Sequence, residues 1–500
     1  MTKEARSRVT VLADLVLAGG GLACLIVLAY FLHRADWLAE PQRSITIKSF
    51  IRYGLPALMS ALIFGCLLLR PRLRENLAVL LFSTGVALVG SEIILLNFQP
   101  GNSTLWTPYT RAHLNELVKL ARRFGVEYDT RTQLQVVKDL REQGIGAVPA
   151  VYPFGLFERQ PDGSLQSRIR VNGTELFALS GISDRPTVFC NEAGLWVTYQ
   201  SDRHGFNNPA AIWGSESLDV AVLGDSYAHG ACVSADRNFS AVIREDYPAT
   251  LNLGNSNKGP LMSLADLKEY AAPFRPRVVL WFLYEGNDFV DLIHEAQSPL
   301  LMRYLERDYT QGLRNHQSEI DEALEQHWVG ALEEARTRWP EEPARGILGV
   351  IRFKGLRRSL RQLRPSDDRQ QELDRSIGLF ADVIAEAKLT VDSWGGRFYL
   401  VYLPERQRFV DSRAASLGEE KRRAVMDVLS SLGVEFIDIP AAFHASADPL
   451  ELFPFRRRGH YNEEGHRLVG ETVLRTIASE VADDGTAAGG AEHAIIAKAS

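Results

Sequence analysis

The chain has 500 residues, 46% hydrophobic and 24% charged, an ordinary globular balance that excludes a disordered, collagen-like or disulfide-dense protein. Lys and Arg number 56 against 62 Asp and Glu, a formal net charge of −6, so no overall basic field exists to gather nucleic acid. The 4 cysteines include no C-x-x-C pair, which leaves neither a disulfide framework nor a zinc ribbon, and no metal or cofactor is expected.

The apolar residues are unevenly spread. Residues 9–32 carry one charge, Asp14; residues 53–69 carry none; residues 77–98 carry only Glu92. A helix needs about 20 apolar residues to cross a hydrocarbon core, so three transmembrane helices are expected within a membrane anchor at 1–100. The alternative is a two-helix hairpin with the short middle segment buried elsewhere. Lys3, Arg6 and Arg8 precede the first segment, and Arg70, Arg72 and Arg74 separate the second from the third, which assigns both ends to the cytoplasm. An odd number of crossings then exports everything after Phe98. Arg34, Arg43, Lys48 and Arg52 in the first loop oppose that orientation.

Residues 101–215 read as a helical neck, with Leu114, Leu117, Leu120 and then Leu134, Val137, Leu140 at helical spacing, followed by a small β-rich lead-in with runs at 176–179 and 195–199. From residue 216 to 480 the pattern changes. The runs 220–223, 250–253, 278–283, 398–403 and 435–439 are apolar on both faces and alternate with helical stretches, the signature of a parallel sheet covered on both sides. The domain is therefore α/β. A charged, mostly helical insertion occupies 289–394, and its segment 347–364 interleaves six cations with apolar residues, suited either to an anionic surface or to a solvated helix. Residues 481–500 are Ala/Gly-rich and read as a flexible tail.

The chemistry concentrates at Val220-Ala221-Val222-Leu223-Gly224-Asp225-Ser226. A buried strand running into Gly-Asp-Ser and then a helix brings a hydroxyl to the C-terminal edge of the sheet, where turn N–H groups favour developing negative charge. Three further blocks follow in order: Asn252-Leu253-Gly254-Asn255-Ser256-Asn257-Lys258-Gly259, Glu285-Gly286-Asn287-Asp288, and Gly459-His460-Tyr461-Asn462. Together these resemble the SGNH/GDSL hydrolase superfamily, in its membrane-anchored bacterial form, over roughly the last half of the chain. The lead-in turn Ser201-Asp202-Arg203-His204-Gly205-Phe206 is similar to one preceding the Gly-Asp-Ser strand in polysaccharide-modifying members, and reads equally as a tight polar turn.

The resemblance implies a three-layer, flavodoxin-like domain with a central parallel sheet. It implies Ser226 as nucleophile, His460 as general base, and an oxyanion hole from Asn287, the Ser226 N–H and a backbone N–H of the second block, at Asn257 or at Gly259 depending on register. The family's usual Asp three residues before the histidine is here Arg457, within Arg456-Arg457-Arg458. Asp448 or Glu451 is the candidate orienting acid; a Ser-His dyad and an inactive site are the alternatives. Such a cationic run lowers the pKa of a nearby imidazole. Cys190 and Cys232 would both be exported, and a disulfide between them would pin the lead-in to the nucleophile helix; two free thiols are the other outcome.

The implied function is a multi-pass esterase of a bacterial inner (plasma) membrane with a periplasmic catalytic domain, removing O-acyl, often acetyl, groups from a cell-envelope glycan. The expected partners are the acylated glycan, the lipid bilayer and a possible membrane protein. The alternatives are a polysaccharide O-acyltransferase served by a membrane partner, and an inactive glycan-binding or assembly protein.

Overall fold

The computed structural model describes residues 3–33, 53–98, 111–338, 366–457 and 459–478. The interleaved segment 347–364, the first-loop cations, Arg458 and the tail lie outside the described residues. The chain divides into two compact units.

Among the described residues, the first unit holds three α-helices, α1 (Lys3–His33), α2 (Leu55–Gly65) and α3 (Pro71–Phe98). The Ser60 hydroxyl donates to Gly21 O at 3.0 Å and Arg74 pairs with Asp14 at 2.9 Å, so α2 runs back along α1. Asp14 is thus a partner of Arg74 inside the helix cluster. A small interior of Ala13, Leu17, Ile63 and Ala78 joins the helices, while Leu12, Leu15, Val79 and Phe82 stand more than half exposed. That is the inverse of a water-soluble bundle, whose apolar face turns inward. Two of the helices are long and apolar enough to cross a membrane, over Arg8–Ala29 and Pro71–Glu92, and the expected third is not. The middle segment continues only as far as Leu68; at 1.5 Å per residue it spans about 20 Å, short of a core about 30 Å thick.

The second unit is built on five parallel strands, β1 (Val220–Leu223), β2 (Thr250–Asn252), β3 (Val278–Tyr284), β4 (Arg397–Leu403) and β5 (Glu435–Asp438), in the order β2-β1-β3-β4-β5. This is the doubly wound order of flavodoxin-like sheets. Alternate side chains serve the two faces. Ala221, Leu223, Trp281 and Leu400 pack against Leu264, Phe380, Ile384 and Val425, while Val222, Phe282 and Val401 pack against Phe239, Phe443 and Val469. Helices thus cover both faces, which is why every residue of β1 is apolar and buried.

The neck forms helices Arg111–Arg123 and Gln133–Glu142, the second opened by a capping box at Thr132. The lead-in holds a three-stranded sheet of Val148–Pro149, Pro186–Val188 and Thr198–Gln200, plus two short hairpins. The run 176–179 is buried but forms no strand: it is part of the core, with Phe177 N–H donating to the Gln311 side chain.

Candidate active site

Strand β1 ends at Leu223, and Gly224 turns the chain with φ +146°. A Cβ there would sit 2.7 Å from Phe282 O, so only glycine fits. Asp225 caps the short helix Ser226–His229 by accepting the Tyr227 N–H, and Gly230 closes it in the left-handed region. The Ser226 side chain is thereby fixed at the C-terminal edge of the sheet. Burial pushes the Asp225 carboxyl up to about 6.

The structure brings Ser226 and His460 together across 234 residues, with Oγ 2.8 Å from Nε2. The other ring nitrogen, Nδ1, lies 3.0 Å from Glu192 Oε1, and the His460 backbone N–H donates to Glu192 Oε2 at 2.7 Å. A carboxylate accepts from Nδ1–H, which assigns the tautomer and leaves Nε2 to accept the serine proton. Burial alone would lower the His460 pKa, but the charge and hydrogen bond of Glu192 outweigh it and hold it above the usual range. Burial likewise raises the Glu192 carboxyl, and His460 more than reverses that, leaving it below the usual range.

This corrects the expectation for the acid. Asp448 and Glu451 both pair with Arg456, the latter at 3.2 Å, and the carboxylate on His460 is Glu192 of the lead-in. It also corrects the expected depression of the imidazole by the arginine run, because Arg456 is neutralised by that pair and Glu192 dominates at the ring. Glu192 stands two positions after Cys190, which is bonded to Cys232, six positions beyond Ser226, with Cα atoms 5.3 Å apart. A second tie runs through Tyr199, whose hydroxyl lies 2.9 Å from His229 Nε2. The one sequence signal for Glu192 was that cysteine pair, which would have set residues 190–192 near Ser226.

The turn 201–208 is stitched to the same edge. Asp202 accepts the N–H groups of His204 and Phe206, Asn207 donates to His229 O, and Asn208 donates to Asn252 O.

In the second block, most backbone donors are already engaged. Gly254 N–H goes to the Asn252 side chain, Ser256 N–H to Asn255 Oδ1 and His229 Nδ1, and Gly259 N–H to Glu295 Oε1 at 2.6 Å. Asn257 has φ +59°, a conformation that glycine and asparagine accept most readily. Asn257 thus occupies the turn, while the Gly259 donor is held by a buried carboxylate. Asn287 follows β3 at the same sheet edge and opens helix Asp288–Glu295. One of its two amide hydrogens donates to Asp291 at 2.6 Å, which leaves the other for a ligand. Burial pushes Asp291 up to about 7 and Glu295 up to about 8. His466 is buried and apart from this chemistry, its ring against Phe239.

No family model and no curated protein matches the chain. Among solved structures it is similar to a putative lipolytic protein of the G-D-S-L family from Desulfitobacterium hafniense DCB-2 (15% identity, 51% of this chain and 97% of that one, TM-score 0.27). It is also similar to the acetyl xylan esterase AlAXEase (12%, 52% and 98%, TM-score 0.30) and to a lipase/acylhydrolase from Enterococcus faecalis (13%, 53% and 96%, TM-score 0.29). Likeness at this level assigns no activity, which has to be argued from the site itself.

Proposed function

We propose that this protein is a membrane-anchored serine ester hydrolase of SGNH type, with Ser226 as nucleophile, His460 as base and then acid, and Glu192 as the orienting carboxylate. The observation that carries this reading is the continuous chain Ser226–His460–Glu192, at 2.8 and 3.0 Å. His460 takes the hydroxyl proton as Oγ attacks the ester carbonyl, and returns it to the departing alcohol; water then repeats the cycle on the acyl-enzyme. Glu192 stabilises the imidazolium while it exists. The Ser226 N–H, the Asn257 N–H and the free Asn287 amide hydrogen receive the oxyanion. Arg74 and the apolar exterior of α1 and α3 support the anchor, and the disulfide supports an oxidising compartment for the catalytic unit. An O-acyl ester on a cell-envelope glycan is the substrate class within reach of an enzyme so tethered.

The test is intact-mass labelling of the detergent-solubilised chain by a fluorophosphonate, which reacts quickly only with an activated serine. One adduct is expected, lost in Ser226→Ala and slowed strongly in His460→Ala. A folded wild type that takes up no label would refute the reading. Release of acetate from an acetylated glycan in water, without an acceptor sugar, then separates hydrolysis from acyl transfer.

A further inference from the structure

The disulfide does more than tether the acid: its Cys232 sulfur stands against the pair that orients the base. One ligand atom each from Glu192, Cys232 and His460 lie within 4.8 Å of one another. A carboxylate, an imidazole and a thiolate are each donors that Zn2+ takes, and a site with three protein ligands leaves one position open. In the oxidised chain the sulfur is bonded to Cys190 and is no ligand.

We propose that reductive opening of Cys190–Cys232 creates a zinc site from Cys232, His460 and Glu192, and that filling it switches the serine off. A dithiol supplies the two electrons and two protons: its own sulfurs become a disulfide, and Cys190 and Cys232 become thiols. Zn2+ then displaces the Cys232 proton. The switching-off, though not the metal site itself, rests on the hydrolase reading above.

The segment that carries Glu192 has ties besides the disulfide. Phe189 N–H donates to Val197 O and Val197 N–H to Cys190 O, while Asn191 is tied to the neck through Asp129 O and the Tyr128 hydroxyl. Zinc bonds of about 2.0–2.3 Å require side-chain shifts on the order of 1 Å to close the site, and no rebuilding of the backbone. The Glu192 and His460 side chains are 21% and 16% exposed, which leaves a way in for the ion.

Inactivation follows from the tautomer. His460 meets Glu192 through Nδ1 and Ser226 through Nε2, so a metal on the Glu192 side takes Nδ1. The imidazole proton then resides on Nε2, where it donates to the serine oxygen instead of accepting its hydrogen. The base is lost without any displacement of Ser226.

The experiment compares the solubilised full chain as Cys190→Ser, which frees Cys232, with the double variant Cys190→Ser/Cys232→Ser; Cys24 and Cys66 remain in both. Chelator competition is expected to count one more tightly bound Zn2+ per chain in the single variant. Its fluorophosphonate labelling should fall more than tenfold with zinc and return with EDTA, while the oxidised wild type ignores zinc. Wild type reduced by a dithiol and desalted provides the same comparison if the Cys190→Ser chain misfolds. Equal zinc counts in the two variants would overturn the site. An extra zinc with unchanged labelling would overturn the switching-off. Absence of labelling in every form would refute the hydrolase reading, and the zinc counts would still decide the metal site.

Discussion

His460 is gripped twice by one carboxylate, at its backbone N–H and at Nδ1, so Glu192 fixes both the position and the tautomer of the ring. Because Glu192 raises the imidazole pKa, the neutral base is lost as pH falls through a value above the usual about 6.5. Glu192→Gln is therefore expected to lower kcat by on the order of 10³–10⁴-fold and to move the acid limb of kcat/KM to lower pH. An acid limb that stayed in place would dissociate Glu192 from the base. Asp448→Asn and Glu451→Gln should leave both quantities alone, since each serves Arg456. Asn287→Ala should cost on the order of a hundredfold in kcat, measurable in the acetyl-ester assay. Ser226, His460 and Asn287 stood out in the sequence because each lies within a compact block, Ser226 and Asn287 just after a strand. Glu192 did not, because its partner lies 268 positions away and nothing around it marks a carboxylate for catalysis.

At the level of elements, the site depends on how closely the second block lies on the nucleophile helix. An added Cβ at Gly254 would come within 2.4 Å of the Ala228 backbone carbon, which cannot yield as a flexible side chain would. Gly254→Ala is expected to destabilise the fold by about 1–3 kcal/mol, read as a lower Tm, and to slow labelling of Ser226 by moving the turn. A variant with wild-type Tm and labelling would show that the loop has slack. The five strands were readable because parallel strands buried on both faces are continuously apolar, as Val220 to Leu223 are. The register of the second block was not, since Asn257 and Gly259 both suit a turn and the choice depends on Glu295, thirty-six positions further on, holding the Gly259 N–H. The run 176–179 misread as a strand for the opposite reason: its apolar residues pack into the core, and Leu176 and Phe177 donate to Ile169 O and the Gln311 side chain without forming a ladder.

For the whole molecule, the three apolar segments and the shortness of the middle one were evident from composition, and the structure ends that helical stretch at Leu68, before Pro71 opens α3. With α1 and α3 as the long apolar helices, the chain is expected to stay with membranes through alkaline carbonate extraction and to need detergent for release; appearance in the soluble fraction would remove the anchor from the proposal. The proposed triad also has a temporal order written into it. Glu192, Ser226 and His460 occur in that order along the chain, and His460 is followed by a helix over 463–478 whose Val469 and Val473 complete one face of the sheet. A ribosome making the chain from its N-terminus delivers His460 after the apolar helices and the five strands of the sheet have emerged. A chain cut before His460 would, on the proposed reading, carry a serine with no base, and reactivity at Ser226 would report that His460 had been made and docked.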